Sequence, residues 1–187
     1  GAPEVMRLSR SPLPVPAAGQ VLIRVHAAGV NGPDVKQRVG AYPPPPGASP
    51  IIGLEVAGDI CVLGDGVSQW QVGDKVCALV PGGGYGEYVL TYATHCLPIP
   101  TGFSYVQAAA LPETFFTVWG NLFMRAGLKA GERVLFHGGS VGFGCPAFQL
   151  ASALGSKVIA TTGQDEKRDY SLSLGAAEVI NYRTQNL

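Results

Sequence analysis

Charged residues are scarce in this chain. They make up 14 % of its 187 residues, while hydrophobic residues make up 47 %; the charged share of an average globular domain is about 25 %. Thirteen basic and thirteen acidic residues balance each other, and they form no run of like charge. The composition therefore predicts a dense core, or a surface buried against further chain. It argues against a nucleic-acid or anionic-membrane partner and favours a small molecule.

Long apolar runs and clustered cysteines are also missing. No apolar stretch reaches the roughly 18 residues of a membrane span, and the first residues lack the basic-then-apolar pattern of a signal peptide. The cysteines stand far apart without a Cys-x-x-Cys pair, which indicates neither a zinc ribbon nor a disulfide framework. They are Cys61, Cys77, Cys96 and Cys145. We interpret them as buried, reduced thiols of a soluble, cytoplasmic protein.

Glycine and proline are abundant, with 26 and 15 copies, and they separate short apolar segments. This spacing of glycine and proline predicts strands joined by tight turns. In the first part of the chain the predicted strands are residues 20–27, 54–63, 75–79, 85–91 and 95–98. Their close spacing indicates a compact β-barrel or sandwich.

The pattern changes near Ser104. The region that follows, residues 106–126, favours a helix that Pro112 interrupts. Beyond it, predicted strands alternate with predicted helices, which is typical of a doubly wound parallel sheet. The strands are residues 133–137, 157–161 and 178–180, and the helices are residues 146–154 and 165–174. We therefore predict an α/β protein with a β-rich part, whose parallel sheet is half built where the sequence stops.

A glycine-rich turn lies between the strand at 133–137 and the helix at 146–154. Backbone N–H groups of such a turn, together with a helix N-terminus, bind a pyrophosphate. We predict dinucleotide binding here, and a turn of purely structural role is the alternative. The predicted contacts are Gly139, Ser140, Val141, Gly142, Phe143 and Gly144.

The end of the next strand indicates which dinucleotide is bound. An NAD site usually offers an Asp or Glu to the ribose at this point, and none stands here. Instead Thr162 and Gly163 are followed by Lys167 and Arg168. These groups favour NADPH with its 2′-phosphate, although both cations also suit the solvated face of a helix.

Several short segments carry a family resemblance. They are Asn31 to Asp34, Gly40 to Gly47, Gly53 to Glu55, Leu111 to Thr114, His137 to Gly144 and Ile180 to Arg183. Together they resemble the quinone oxidoreductase and zeta-crystallin branch of the zinc-free medium-chain dehydrogenase/reductase superfamily. The resemblance covers essentially the whole chain.

For the fold, this resemblance implies a GroES-like catalytic domain over residues 1–105. A connecting helix and the first half of a Rossmann, NADPH-binding domain follow over residues 106–187. The resemblance further implies that the usual first strand and the C-terminal part of the chain are missing, and that the full-length parent is a homodimer.

The resemblance also implies that no metal is bound. In zinc-dependent alcohol dehydrogenases of this superfamily a cysteine and a histidine bind the catalytic zinc, and Asn31 and Leu54 stand at the matching positions. An amide and an alkyl group do not replace a thiolate and an imidazole. Without this Lewis acid, the expected reaction is hydride transfer from NADPH to an acceptor that is already electrophilic, such as a quinone or another activated carbonyl.

By the same resemblance, Asn31 and Tyr42 line the substrate pocket as the candidate catalytic residues. Thr117 contacts the nicotinamide side of the cofactor, and Tyr182 lies beside the 2′-phosphate. Structural alternatives are local backbone bonds for Asn31, capping of a proline turn for Tyr42 and a backward bond along its helix for Thr117. Relatives carry glycine where this chain has Val141, so its β-branched side chain is expected to weaken cofactor binding.

Two other functions stay open at this point. One is an enone or enoyl reductase of a neighbouring branch, which reduces an activated carbon–carbon double bond. The other is a non-catalytic, NADPH-binding protein of crystallin type, because the chain looks truncated and its activity is expected to be impaired.

Overall fold

The computed structural model describes residues 1–138 and 142–185. The chain divides into two compact units, Gly1–Glu113 and Thr114–Leu187. The boundary predicted between residues 105 and 106 falls a short way before this division. In the described part of the chain, no helix is both long and apolar enough to cross a membrane.

The first unit is built on a five-stranded antiparallel sheet with the order β4-β1-β2-β3-β5. Its buried core includes Val21, Ile23, Val56 and Ile60. Side chains alternate between the two faces of a strand, so each of these pairs lies on one face; Leu22 and Ala57, on the opposite face, are buried as well. The strands are β1 Gln20–Ala28, β2 Glu55–Leu63, β3 Lys75–Leu79, β4 Tyr88–Tyr92 and β5 Cys96–Pro98.

Three helices accompany this sheet. The helix α1, Gly32–Val39, follows β1; the short α2 is Tyr105–Ala108, and α3, Pro112–Val118, begins at the end of the first unit. Ala108 and Ala109 are buried against the sheet residues Ala57 and Cys77, because small side chains let the backbone of α2 approach closely. Two 3₁₀ turns complete the unit, Pro3–Val5 and Ala93–His95.

The second unit contains a three-stranded parallel sheet with the order β6-β7-β8. Phe148 of the helix after β6 is fully buried and packs with Ala147, Ala151 and Val158. The strands are β6 Arg133–Phe136, β7 Lys157–Thr162 and β8 Ala176–Asn181; the helices are the π-helix Trp119–Arg125, α4 Gly144–Ala153 and α5 Glu166–Ser173. The predicted alternation of strand and helix is confirmed.

Three expectations need correction. The helix α1 was not predicted, and β4 begins at Tyr88 rather than at Tyr85, because the N–H of Tyr85 bonds to the carbonyl of Ile52 in a turn. The prediction of four buried thiols is wrong for two of them. All four cysteines are free, but only Cys77 and Cys96 are buried; the others, Cys61 and Cys145, are partly exposed.

Candidate functional site

A cleft of about 220 Å³ opens where β7 and β8 end. In open parallel sheets, ligands bind beyond the carboxyl ends of the strands. The lining residues are Gly138, Thr161, Thr162, Gly163, Gln164, Lys167, Tyr182 and Arg183. The structure therefore brings together four of the predicted cofactor residues, namely Thr162, Gly163, Lys167 and Tyr182.

Local hydrogen bonds shape the wall of this cleft. The Thr162 hydroxyl accepts from the N–H of Gln164 at 3.2 Å and donates to its carbonyl at 3.1 Å, so the chain turns directly after β7. The N–H of Tyr182 donates to the carbonyl of Thr162 at 3.0 Å. A Cβ on Gly163 would lie 2.4 Å from the Tyr182 hydroxyl. Glycine at 163 is thus what lets the phenol lie over the end of β7.

The charge of the lining is entirely positive. Lys167 and Arg183 are its charged members, and neither forms a salt bridge with a carboxylate of the described residues. Asp165 lies nearby at the start of α5, but its Oδ1 accepts from the Asn181 amide at 2.7 Å. Arg168, the other cation at this end of α5, is exposed and does not line the cleft.

The sequence did not lead us to predict Arg183 as a residue of the cleft. The one feature that could have indicated it is its position directly after Tyr182, beyond the last strand. The Arg183 backbone N–H donates to Oδ1 of Asn181 at 3.0 Å, which sets the course of the chain as it leaves β8.

The structure describes part of the glycine-rich turn. Gly139, Ser140 and Val141 lie outside the described residues, so their predicted contacts, and the predicted effect of Val141, stay predictions. Gly142 has a φ of +50°, Phe143 precedes α4 with 39 % of its surface exposed, and Gly144 begins α4.

Thr117 lies half-buried in α3. Its carbonyl accepts from the Asn121 amide at 2.8 Å, and it does not line the cleft of the second unit. Its predicted contact with the nicotinamide stays a prediction.

A second arrangement of polar groups surrounds Asn31 in the first unit. Asn31 is the N-cap of α1; its side chain makes no capping hydrogen bond, and its backbone N–H donates to Asp34. Its Nδ2 donates to Oε1 of Glu55 at 2.8 Å, and Oε2 of Glu55 accepts from the backbone N–H of Glu113 at 2.9 Å. Burial raises the pKa of Glu55, and the two hydrogen bonds oppose that rise.

Two further acidic groups lie in this arrangement. Asp34 is 2 % exposed; its Oδ2 accepts from the Asn31 N–H at 2.8 Å and from the Tyr85 hydroxyl at 2.9 Å, and its Oδ1 has no partner among the described residues. Burial and the bond to Asp34 raise the pKa of Tyr85. Burial and the nearby carboxylates Glu55 and Asp34 raise the pKa of Glu113. We call Asp34, Glu55, Glu113 and Tyr85 the acidic cluster.

The other predicted substrate residue, Tyr42, stands apart. It is 46 % exposed and forms no hydrogen bond with the described part of the chain. No described contact joins Tyr42 to Asn31. Leu54, at the second position that matches a zinc ligand, is 8 % exposed. Across residues 1–138 and 142–185, no group of His, Cys, Asp or Glu side chains is arranged to hold a metal ion.

Known proteins resemble the chain both in sequence and in structure. Residues 17–101 match the family described as the alcohol dehydrogenase GroES-like domain. Quinone oxidoreductase of Rattus norvegicus is 42 % identical over 188 residues, which cover 100 % of this chain and 57 % of that protein.

Two solved structures show the same fold. Quinone oxidoreductase of Escherichia coli, complexed with NADPH, matches with a TM-score of 0.81 at 34 % identity, covering 100 % of this chain and 57 % of that one. The enoyl reductase CurK matches with a TM-score of 0.80 at 34 % identity, covering 96 % and 55 %. The chain thus spans little more than half the length of these relatives.

The chain thus has a GroES-like domain, followed along the chain by part of a Rossmann-like parallel sheet, the fold of the medium-chain dehydrogenase/reductase superfamily. It is a homologue of the quinone oxidoreductases. The predicted family resemblance and fold class are confirmed.

Proposed function

We propose that the protein is an NADPH-dependent quinone oxidoreductase that transfers hydride without zinc. The observation that supports NADPH most directly is the cleft at the ends of β7 and β8, which offers Lys167 and Arg183 and no carboxylate. A 2′-phosphate carries the complementary negative charge. The homologue of E. coli, whose structure holds NADPH, supports a nicotinamide cofactor in this family.

The residues present fit such a cofactor. Lys167 supplies a mobile ammonium group, and Arg183 supplies a planar guanidinium that is suited to bidentate contact with phosphate oxygens. Gly163 and Tyr182 would hold the adenosine side, since a side chain at 163 would displace the phenol. When bound, NADPH supplies the hydride. The protein's part here is to bind and orient.

The absence of zinc is supported by the two positions that match its ligands. The Asn31 amide is bonded to Glu55, and Leu54 is an alkyl group. Neither is a zinc ligand. In this proposal the Asn31 amide would donate to an oxygen of the acceptor, and the exposed phenol of Tyr42 would stack on its ring. A quinone suits this arrangement because it accepts hydride without a Lewis acid.

A second function has a specific observation in its favour. The enoyl reductase CurK shares the fold at the same identity as the E. coli quinone oxidoreductase, so reduction of an enone or enoyl substrate is the alternative. Because the chain covers 57 % of its relatives, both proposals concern the whole protein. By family resemblance, we also propose a cytoplasmic homodimer that acts on a small molecule.

Binding measurements test the cofactor proposal. We expect Lys167→Ala and Arg183→Ala each to weaken NADPH binding roughly ten-fold, by the loss of about 1.5 kcal/mol from one charge-assisted hydrogen bond. NADH binding should be unchanged, because NADH has no 2′-phosphate. Titration of nicotinamide fluorescence measures both dissociation constants.

Arg168→Ala is the matched control. Arg168 lies on the same helix as Lys167 but outside the cleft, so its removal should change neither constant. If Lys167→Ala weakened the binding of NADPH and of NADH equally, the assignment of this cleft to the 2′-phosphate would be contradicted.

Turnover distinguishes the two acceptors. NADPH oxidation is followed with a quinone and an enone offered separately, on the 187-residue chain and on the whole protein. Turnover of the quinone supports the first proposal, and turnover of the enone alone supports the second. If the whole protein oxidises NADPH with neither, both proposals fail.

A further inference from the structure

We infer that Glu55 is a positioning residue, which orients the Asn31 amide so that one N–H of Nδ2 faces an acceptor oxygen of the substrate. The inference rests on the proposed function, because that function places Asn31 beside the quinone. It adds a residue to the substrate site that is not itself expected to touch the substrate.

The first step of the argument is the hydrogen-bond pattern. An amide nitrogen carries two N–H donors, and an ionised carboxylate only accepts. Glu55 therefore requires Asn31 to turn its nitrogen, not its oxygen, towards β2. One N–H is used by Oε1 of Glu55 at 2.8 Å, and the second has no partner among the described residues. Since Asn31 is only partly buried, this second donor is available to a ligand.

The second step is that Glu55 is itself held in place. It is the first residue of β2 and is 3 % exposed. Its other oxygen accepts from the Glu113 N–H, in the first turn of α3. With both oxygens bonded to donors on different elements, the carboxylate plane has little freedom. The orientation of the Asn31 amide is therefore imposed by the tertiary structure.

The third step is the space left for the carboxylate. A Cβ added to Gly29 would lie 2.0 Å from Oε1 of Glu55, so any side chain at 29 would push the carboxylate away from Asn31. The backbone of Gly29 has no left-handed φ that would otherwise require glycine. Gly32 offers a contrast three residues on, because a Cβ there meets no atom within 4 Å. Glycine is thus needed at position 29 so that the Glu55 carboxylate can lie beside Asn31.

Titration of Glu55 should remove the constraint on this orientation. A protonated carboxyl carries an O–H donor as well as an accepting oxygen, so it can bond either to the oxygen or to the nitrogen of the Asn31 amide. Burial favours that neutral form, and so does the charge of Asp34, while the hydrogen bonds from Asn31 and Glu113 favour the ionised form. The other titratable groups that interact with Glu55 are Tyr85, Cys77 and the Glu113 carboxyl.

The test begins with the wild-type chain. The side-chain NH₂ signal of Asn31 is followed by ¹⁵N NMR from neutral to acid pH. We expect it to shift with one titration step above the usual pKa of glutamate, about 4.3. In Glu55→Gln this step should disappear, because an amide does not titrate. A wild-type Asn31 signal that does not move with pH would overturn the inference.

Kinetics of the whole protein supply the second readout. Gln has one accepting oxygen and one NH₂ donor, so in Glu55→Gln the side chain cannot accept from Asn31 Nδ2 on one atom and from the Glu113 N–H on the other, as the carboxylate does. We expect kcat/KM for the quinone to fall roughly ten-fold, the effect of losing one charge-assisted hydrogen bond. The dissociation constant of NADPH should not change, because the cleft residues belong to the other unit.

A double-mutant cycle separates positioning from general structural support. If Glu55 acts through Asn31, the double variant Glu55→Gln/Asn31→Ala should be no slower than Asn31→Ala alone. If the losses of kcat/KM in the two single variants add up in the double variant, the inference is overturned. Gly29→Ala should act like Glu55→Gln, and Gly32→Ala is the matched control with wild-type kinetics.

The proposed function and the positioning role of Glu55 can fail independently of each other. If the whole protein reduces no quinone while the Asn31 signal follows Glu55, the quinone reductase proposal is wrong, and so is the substrate-facing role of the second N–H. If the protein reduces quinones and the Glu55→Gln rate equals that of the wild type, the proposed function stands and the positioning role is wrong.

Discussion

Asp59 of β2 holds together three elements of the first unit, and its replacement is a sharp test of this fold. Its Oδ2 accepts from Arg24 of β1 at 2.9 Å and contacts Nε2 of His26 at 2.8 Å, while its Oδ1 accepts from the hydroxyl of Tyr105 at the start of α2. The His26 ring stacks on Tyr105 with 4.5 Å between centroids, and the Lys75 ammonium lies 5.7 Å from the Tyr105 ring centroid. One carboxylate thus ties α2 to the sheet.

The bond to Tyr105 should carry most of the stability. The side chains of Arg24 and His26 are 55 % and 35 % exposed, and exposed ion pairs contribute little because water and salt screen them. A hydrogen bond to a charged, mostly covered carboxylate contributes about 2 kcal/mol. We therefore expect Asp59→Asn to lower the free energy of unfolding by about 2 kcal/mol, and Tyr105→Phe to lower it almost as much.

The effect should depend on pH. Partial burial by itself raises the pKa of Asp59, but hydrogen bonds from Tyr105, Arg24 and His26 together hold it well below its usual range. A carboxyl with a lowered pKa stabilises the fold above its unfolded pKa of about 3.9, and this contribution is lost as pH falls through the folded pKa. The difference between wild type and Asp59→Asn should be constant from about pH 5 upwards and should shrink below about pH 4.

Trp70 provides the assay. It belongs to the first unit, where its indole N–H donates to the carbonyl of Ala93 at 2.9 Å, and the chain has one other tryptophan, Trp119, which Trp119→Phe removes. Urea unfolding followed by Trp70 fluorescence then reports the first unit. Tyr92→Phe is the control, because the Tyr92 hydroxyl is exposed and has no hydrogen bond with the described residues. The reasoning would be refuted if Tyr105→Phe had the same free energy of unfolding as the wild type. It would also be refuted if the difference between wild type and Asp59→Asn persisted below about pH 4.

The remaining predictions concern backbone packing and metal content. Gly58→Ala should destabilise the first unit by about 3 kcal/mol, because the new Cβ would lie 2.0 Å from the Arg24 carbonyl oxygen. Gly32→Ala, in the same unit and with nothing within 4 Å of the new Cβ, should be neutral or slightly stabilising in the same unfolding assay. Elemental analysis of the purified protein should find no stoichiometric zinc, and zinc that resists dialysis and is needed for turnover would contradict the proposed mechanism.

Much of the fold was predictable from local pattern. The predicted strands at 20–27 and 75–79 correspond to β1 and β3, and the alternation after Ser104 produced the parallel sheet. The helix α1 was missed although its termini carried standard signals. Asn31 is its N-cap, and Gly40 ends it in a left-handed conformation with a φ of +84°.

The candidate sites were predictable in part. Lys167 and Tyr182 were expected at the cofactor and do line one cleft, since the carboxyl ends of parallel strands meet at one edge of the sheet. Arg183 was missed because nothing in its neighbours says which way its side chain turns. Asn31 was expected in the substrate pocket, but its bond to Glu55 was not.

Periodicity, turn residues and short motifs were enough to predict the element types and the family resemblance, because those depend on neighbours along the chain. Contacts between distant segments were decided by the tertiary structure alone. Asn31 and Glu55 are 24 positions apart, and Asp59 and Tyr105 are 46 apart. Such pairs form only when sheet register and helix packing bring two buried or half-buried groups within hydrogen-bond distance. Whether Asn31 presents its nitrogen or its oxygen is therefore a property of the fold.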